Sequence, residues 1–244
     1  MYYDYRAGKK RMDGILDSRM EVIESDKLPK SDDLTFENSY HSWLTAVFVD
    51  IRNSTQLMAD DDQEYVAKVV RCFTSELIEI LRGGDTVREV GIRGDCVYAI
   101  YTTPFKSDIV DVFERVVWCN SCLNMLNAVL RNRGYPTIKA GIGVAAGHDH
   151  IIKAGRKGVG INDHVWMGDA VSTASKLSAY GEKNYVRRIV ISDLVYSNII
   201  DSYKEQYPDS ESWFSSVQTP FYGSKQCSVV KTDVENWIEE GLAD

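Results

Sequence analysis

The sequence lacks any unbroken apolar run close to the roughly 20 residues that a membrane-spanning helix needs. Its N-terminal segment is rich in charge and contains no apolar stretch of the kind found in a secretory signal. From these two absences we expect a cytoplasmic protein that makes no contact with a membrane.

The sequence also has fewer basic than acidic residues, and it has few cysteines. The 244 residues include 28 Lys and Arg against 36 Asp and Glu, which gives a formal net charge of -8. A surface of this sign repels phosphate backbones, so we expect no binding to nucleic acid, and a nucleotide site would need locally placed cations. The five cysteines, an odd number at scattered positions, predict reduced thiols and not a disulfide framework.

Apolar residues are plentiful, at 44% of the chain, which is enough to build the core of a globular protein. Apolar side chains at helical spacing predict a short amphipathic helix over residues 8–24, and Pro29 lies in an acidic linker over residues 28–38. We therefore divide the chain into an N-terminal helix and linker, residues 1–40, and one main domain, residues 41–244.

The main domain shows apolar patterns separated by turn signals. The predicted order is strand, helix, hairpin, helix and strand, at residues 43–49, 66–81, 86–101, 108–132 and 137–146. That order is typical of the ferredoxin-like arrangement, an α+β fold with a mixed β-sheet and flanking helices. Beyond it, glycines predict a mobile segment over residues 147–162, followed by a helix and a strand over residues 169–180 and 186–191.

Two carboxylates lie at the ends of adjacent predicted strands. Asp50 ends the first strand, and Asp95 begins the second strand of the hairpin. Their oxygens are the hard ligands of a two-metal site, and this fold brings the two strands close together. Plainer interpretations stay open: Asp50 only ends a strand before a helix capped by Ser54 or Thr55, and Asp95 only follows a turn at Gly94.

Four sequence blocks resemble the class III nucleotide cyclases, the catalytic domains of adenylate and guanylate cyclases. The blocks are FVDIRNST at 48–55, IRGDCVYAIY at 92–101, IKAGIGVAAG at 138–147 and WMGDAVSTASKL at 166–177. Their order and spacing across residues 44–191 are more specific than any one block. The resemblance implies that residues 41–244 are a cyclase catalytic domain, in which the ribose 3′-oxygen of a nucleoside triphosphate attacks its own α-phosphorus and pyrophosphate leaves.

The resemblance also assigns metal and phosphate ligands. It implies that Asp50 and Asp95, with the carbonyl of Ile51, hold two Mg2+ or Mn2+ ions per site. It further implies that the backbone amides of the following turn cradle the β- and γ-phosphates, and these belong to Arg52, Asn53, Ser54 and Thr55.

Three supporting positions follow from the same resemblance. Lys176 replaces an arginine that stabilises the pentavalent phosphate, Ser172 replaces a ribose-orienting asparagine, and Lys139 occupies an often basic position near the triphosphate. Lysine lacks the bidentate fork and serine has a shorter reach, so a catalytically weak binding subunit stays an alternative. In the family this helix and the metal pair come from different subunits, which implies a homodimer with active sites at the interface.

The positions that read the base depart most from the family pattern. Purine cyclases have a Lys or Glu at the position of Gly91 and an Asp or Cys at that of Val165, and neither residue here offers a polar side chain. The missing purine readers suggest a different base, and the compact chain also resembles the pyrimidine cyclases of bacterial Pycsar anti-phage systems, so CTP or UTP is the expected substrate. The alternative is an adenylate or guanylate cyclase that reads the base through other residues.

Two further motifs have structural interpretations. The WCNSC sequence at 118–122 lies inside a helical pattern, which predicts core packing and not a redox site. His148 and His150 flank Asp149 at a predicted hairpin tip, where two imidazoles are ordinarily polar turn residues.

Overall fold

The computed structural model describes residues 2–26, 33–54, 62–219 and 223–242. The helices that lie wholly within these ranges are α1 (Tyr5–Leu16), α2 (Gln63–Leu81), α3 (Lys106–Asn132), α4 (Asp169–Ser178), α5 (Asp193–Gln206) and α6 (Thr232–Glu239). A short 3-10 helix, Ser210–Trp213, follows α5. None of the described helices is both long and apolar enough to cross a bilayer.

Nine strands in the described part of the chain form one sheet. In chain order they are β1 (Glu21–Glu24), β2 (Asn38–Ile51), β3 (Val87–Arg93), β4 (Cys96–Thr102), β5 (Ala140–Arg156), β6 (Ile161–Met167), β7 (Ile189–Ser192), β8 (Ser215–Val217) and β9 (Ser224–Cys227). The sheet order is β3-β4-β2-β5-β7-β9-β8, with β1 paired to β2 and β6 paired to β5 off this path. Because β2 is antiparallel to β4 and β5 while β7 is parallel to β5, the sheet is mixed, and the predicted α+β fold is confirmed.

Helices cover both faces of the sheet. Successive side chains of β2 point to opposite sides, as the pleat requires. Val47 and Val49 pack in the larger core with α2, α3 and α5, whereas Leu44 and Ala46 pack in a smaller core with α4. By the same alternation, Asp50 lies on the face that α4 covers.

Glycine in β5 allows α4 to lie close against the sheet. A Cβ placed on Gly143 would lie 2.1 Å from the carbonyl oxygen of Ala174 and 2.2 Å from the backbone nitrogen of Ser178. Neither backbone atom can give way as a side chain does. The glycine-bearing strand of the sequence therefore fixes how closely the helix with Ser172 and Lys176 approaches β5.

The N-terminal helix differs from its prediction. The Asp4 side chain caps it by accepting bonds from the amides of Arg6 and Ala7, and it ends at Leu16 and not near residue 24. Residues Glu21–Glu24 form β1 instead, in a parallel pair with β2. Strand pairing thus overrides the apolar spacing that suggested a continuous helix.

The segment 147–162 is another difference, because the predicted mobile loop is a hairpin. β5 continues to Arg156 and returns as β6, with His150 opposite Met167. Positive φ angles of 83° and 76° at Gly158 and Gly160 place the glycines in the turn, where their conformational freedom is needed. Residues 150–156 pair with residues 161–167 along the two strands.

The described cysteines are all free thiols. Cys119 and Cys122 lie within α3, are both buried, and form no disulfide. Burial raises the pKa of the Cys122 thiol to about 12, which leaves it protonated and unreactive at neutral pH. The packing interpretation of the WCNSC sequence agrees with this arrangement.

Candidate active site

The structure brings Asp50 and Asp95 together at the ends of β2 and β4. Asp50 lies opposite Cys96 in the ladder, directly beside Asp95. The amide of Ile51 donates to the carbonyl oxygen of Asp95 at 3.4 Å, which links the two chain segments. Both carboxylates are partly accessible to solvent.

The Asp50 carboxylate lies in a mixed electrostatic environment. Burial raises its pKa, the Arg52 guanidinium opposes this shift, and the neighbouring Asp95 carboxylate raises the pKa further. Two adjacent acidic oxygens that repel each other form a donor set suited to a hard divalent cation such as Mg2+. The residues present therefore fit the metal pair that the family pattern implies.

The Arg52 side chain joins the metal-site turn to α4. Its Nη2 donates to Asp50 Oδ2 at 2.8 Å and to the carbonyl oxygen of Ser178 at 3.0 Å, and its Nη1 donates to the carbonyl oxygen of Ala179 at 3.2 Å. The guanidinium thus holds one oxygen of Asp50 and the C-terminal end of α4 at once. The sequence predicted a role only for the backbone amide of Arg52.

The turn after β2 is the predicted phosphate cradle. The Arg52 amide donates to the carbonyl oxygen of Lys139 at 2.8 Å, so this N–H is already bonded within the chain. Asn53 adopts a positive φ of 53°, and Ser54 is the last described residue of this turn. Within the described residues, the predicted phosphate contacts of this turn are thus left to the amides of Asn53 and Ser54, while Thr55 lies outside them.

Helix α4 presents Ser172 and Lys176 on one face, since the two residues are four positions apart. Both side chains are exposed. The Ser172 hydroxyl donates to the carbonyl oxygen of Gly168 at 2.8 Å. Lys139 is likewise exposed, next to the turn that its carbonyl supports.

A buried carboxylate holds the start of α4. Asp149 is only 1% exposed, and its Oδ2 accepts hydrogen bonds from the amides of Ala170 at 3.0 Å and Val171 at 3.4 Å. Burial raises the pKa of this carboxyl, and the two amides oppose the shift. The sequence placed Asp149 in a turn and gave no sign of this capping role, because its partners are 21 or more positions away.

The Gly91 position is covered by an aromatic side chain. Gly91 lies opposite Tyr98 in the β3–β4 hairpin, and a Cβ on Gly91 would lie 2.5 Å from Tyr98 Cζ. The Tyr98 ring stacks on Phe48 with centroids 5.4 Å apart. The space that a purine-reading side chain would need at residue 91 is thus filled by the phenol of Tyr98.

Glu89 holds this aromatic group in place. Its Oε1 accepts a hydrogen bond from the Tyr98 hydroxyl at 2.5 Å, and its Oε2 accepts one from Trp166 Nε1 at 2.6 Å. Val165, the second predicted reader position, precedes Trp166 in β6 and points to the other side of the strand, 37% exposed. The sequence did not predict roles for Glu89, Tyr98 or Trp166, although the block IRGDCVYAIY contains Tyr98 and the block WMGDAVSTASKL begins with Trp166.

Comparison with known proteins places these features in context. The family described as Adenylate and Guanylate cyclase catalytic domain matches residues 36–211. A curated protein from Treponema porcinum named Uridylate cyclase is 43% identical, over 100% of this chain and 84% of its own length. A Uridylate cyclase from Gulbenkiania mobilis is 35% identical, over 80% of this chain and 79% of its own length. The crystal structure of the adenylyl cyclase CyaB from P. aeruginosa shares the fold, with a TM-score of 0.63 at 21% identity over 80% of this chain and 98% of its own.

Proposed function

The chain belongs to the family of adenylate and guanylate cyclase catalytic domains, and from that premise we propose that it is a uridylate cyclase, which converts UTP into the 3′,5′-cyclic monophosphate and pyrophosphate. Membership of the family confirms the resemblance of the four sequence blocks. The observation that carries the choice of base is the phenol of Tyr98 above Gly91.

The filled space at Gly91 favours a small base. A purine has a second ring and is distinguished by polar groups that need matching partners, which neither Gly91 nor Val165 offers. Tyr98, held by Glu89, takes up room on the face of the sheet that also carries Asp50. The choice of uracil over cytosine is supported by the names of the two curated relatives.

The cyclisation requires the chain to hold a triphosphate with its charge neutralised. Asp50, Asp95 and the Ile51 carbonyl would hold two Mg2+ or Mn2+ ions, which when bound lower the pKa of the ribose 3′-hydroxyl and neutralise phosphate charge. Arg52 keeps one Asp50 oxygen oriented through its 2.8 Å hydrogen bond. The backbone amides of Asn53 and Ser54 would donate to the phosphates.

The exposed face of α4 supports a shared active site. Lys176 would stabilise charge on the phosphate, Ser172 would orient the ribose, and Lys139 would lie near the triphosphate. Ser172 and Lys176 are exposed in the single chain, so a second copy can reach this face of α4. We therefore infer a head-to-tail homodimer, in which each site combines the metal pair of one subunit with α4 of the other.

The biological setting follows from the resemblance to Pycsar cyclases. Cyclic UMP would act as a second messenger in bacterial anti-phage defence, in the cytoplasm where its substrate is made. Its production would then depend on infection.

Separate incubations with ATP, GTP, CTP and UTP test the proposal. In the presence of Mn2+, UTP should give cyclic UMP and an equal amount of pyrophosphate, with the products identified by mass spectrometry. Cyclic CMP as the main product would keep the pyrimidine assignment and overturn uracil. Cyclic AMP or cyclic GMP would overturn both, and no cyclic product from a dimeric preparation would favour a binding subunit.

A further inference from the structure

Three of the four histidines in the sequence lie together, away from Asp50 and Asp95. His41 lies opposite Glu24 in the β1–β2 pair and opposite His150 in the β2–β5 pair. His148 is two residues before His150 in β5 and so lies on the same face of the sheet. The predicted hairpin tip for His148 and His150 is wrong, because β5 extends through both and pairs with β2.

The potential ligand atoms of this cluster converge. Glu24 Oε1 lies 2.7 Å from His41 Nδ1, and Glu24 Oε2 lies 3.4 Å from His148 Nε2. The three ligand atoms, one from each residue, are all within 4.8 Å of one another. In a tetrahedral site with metal–ligand bonds of about 2.0–2.1 Å, ligand atoms lie roughly 3.3 Å apart. The cluster therefore has the dimensions of a metal site after small side-chain movements.

The second nitrogen of His41 is already engaged. Nε2 lies 3.0 Å from the carbonyl oxygen of His148, which can only accept, so Nε2 carries a proton. In the neutral imidazole, Nδ1 then carries a lone pair that faces the Glu24 carboxylate. Since both Nδ1 and the carboxylate oxygen are acceptors, a proton or another cation must lie between them. A ligand histidine whose other nitrogen donates to a backbone carbonyl is the usual arrangement around protein-bound zinc.

We propose that Glu24, His41 and His148 form a site for a transition-metal cation of the Zn2+ class. Two imidazoles and one carboxylate favour such an ion over Mg2+, which prefers oxygen ligands, so the site differs in chemistry from the Asp50–Asp95 pair. The side chains of His41 and His148 are 22% and 35% exposed, which lets water complete the coordination.

The three ligands come from three different strands, β1, β2 and β5. β1 is only four residues long and joins α1 to the sheet. A metal ion held by Glu24 and the two histidines would clamp this short strand to the two long ones. Its effect would be to fix the N-terminal segment on the sheet, and it requires no role in cyclisation.

Zinc titration of a variant without the acidic pair tests the proposal. In Asp50→Asn/Asp95→Asn, calorimetry should detect one Zn2+ per chain. Adding Glu24→Gln, His41→Ala or His148→Ala should abolish stoichiometric binding, whereas His164→Ala, which changes the fourth histidine, should retain it. Glu24 is 65% exposed in its side chain, so Glu24→Gln tests the site without disturbing the core.

Two further measurements identify the ligands and test whether the metal ion fixes β1 on the sheet. Co2+ in place of Zn2+ should show absorption typical of nitrogen and oxygen ligands, without the charge-transfer band of a thiolate. Zn2+ should raise the thermal midpoint of the parent variant and leave that of Glu24→Gln unchanged. Absence of stoichiometric Zn2+ binding, binding that survives His41→Ala/His148→Ala, or a thiolate band would each overturn the proposal.

Discussion

Asp50 lies near the end of β2 and Arg52 directly follows the strand, and the contacts of the two side chains link the proposed metal site to α4. One Asp50 oxygen accepts a hydrogen bond from the guanidinium, while Asp95 lies beside the same carboxylate. The guanidinium also donates to the carbonyl oxygens of Ser178 and Ala179, at the C-terminal end of α4. The position of the proposed metal ligand is therefore coupled to the helix that carries Ser172 and Lys176.

Substitution of either aspartate tests the metal pair at this scale. Asp50→Asn or Asp95→Asn should lower turnover of UTP about a thousandfold or more, since loss of the metal pair removes about 4 kcal/mol of charge stabilisation. Circular dichroism should show an intact fold, because both side chains are partly exposed. Asp85→Asn, an exposed acidic turn residue, is the matched control and should keep full turnover. Normal turnover in Asp50→Asn or Asp95→Asn would contradict the proposal that this residue is a metal ligand.

The Tyr98 ring gives a second prediction for single residues. Tyr98→Ala opens the space above Gly91, so the ratio of purine to UTP turnover should rise about tenfold. Product formation from each triphosphate measures the ratio. Ile92→Ala changes an exposed neighbour in the same hairpin and should leave the ratio unaltered. An unchanged ratio in Tyr98→Ala would show that the ring does not limit base size.

Helix α4 depends on the glycine in the strand beneath it. Gly143→Ala should destabilise the protein by about 1–3 kcal/mol and lower turnover, because the new Cβ collides with helix backbone. Gly14→Ala is the control, since nothing lies within 4 Å of a Cβ there, and it should be neutral or slightly stabilising. Urea unfolding measures both. Equal stability of the two variants would contradict the close packing of α4.

The cap of α4 by Asp149 is testable in the same way. Asp149→Ala removes the acceptor of the buried Ala170 amide and of the partly buried Val171 amide, and should cost about 1–3 kcal/mol of unfolding free energy. Asp149→Asn keeps an acceptor oxygen, so its loss should be smaller. A greater loss in the asparagine variant would contradict the proposed hydrogen bonding.

The same residue predicts a pH dependence. Because burial raises the folded-state pKa of Asp149 above 3.8, the native state binds its proton more tightly than the unfolded state does. Its contribution to stability is therefore largest below pH 3.8 and falls as the pH rises through the folded pKa. The stability difference between wild type and Asp149→Asn should decline over that window, as measured by urea unfolding at several pH values.

Apolar periodicity and turn residues in the sequence predicted those helices and strands whose formation depends mainly on residues close in the chain. The β2 strand, the β3–β4 hairpin and α3 were predicted from apolar period and turn glycines, and Asp50 and Asp95 from their positions at strand ends. The β5–β6 hairpin was not, since its pairing with β2 and its tight glycine turn override the appearance of a loop. The side-chain contacts of Arg52 also depend on α4, more than 100 positions away.

In the proposed homodimer, each chain supplies only half of each active site: the metal pair of one site and α4 of the other. Asp50→Asn/Asp95→Asn and Lys176→Ala should each be nearly inactive alone. Mixed in equal amounts under subunit exchange, half of the dimers become heterodimers with one intact site, so about a quarter of wild-type activity should return. Activity measured after mixing, with either variant alone as control, checks this. No recovery despite exchange would contradict a shared site.

The most direct measurement of the central claim is a competition among substrates in one reaction. Wild-type protein receives equimolar ATP, GTP, CTP and UTP with Mn2+, and mass spectrometry quantifies the four cyclic nucleotides, with Asp50→Asn/Asp95→Asn as the blank. The account predicts cyclic UMP as the dominant product and none from the blank. Dominance of a cyclic purine nucleotide, or equal product from the blank, would contradict it.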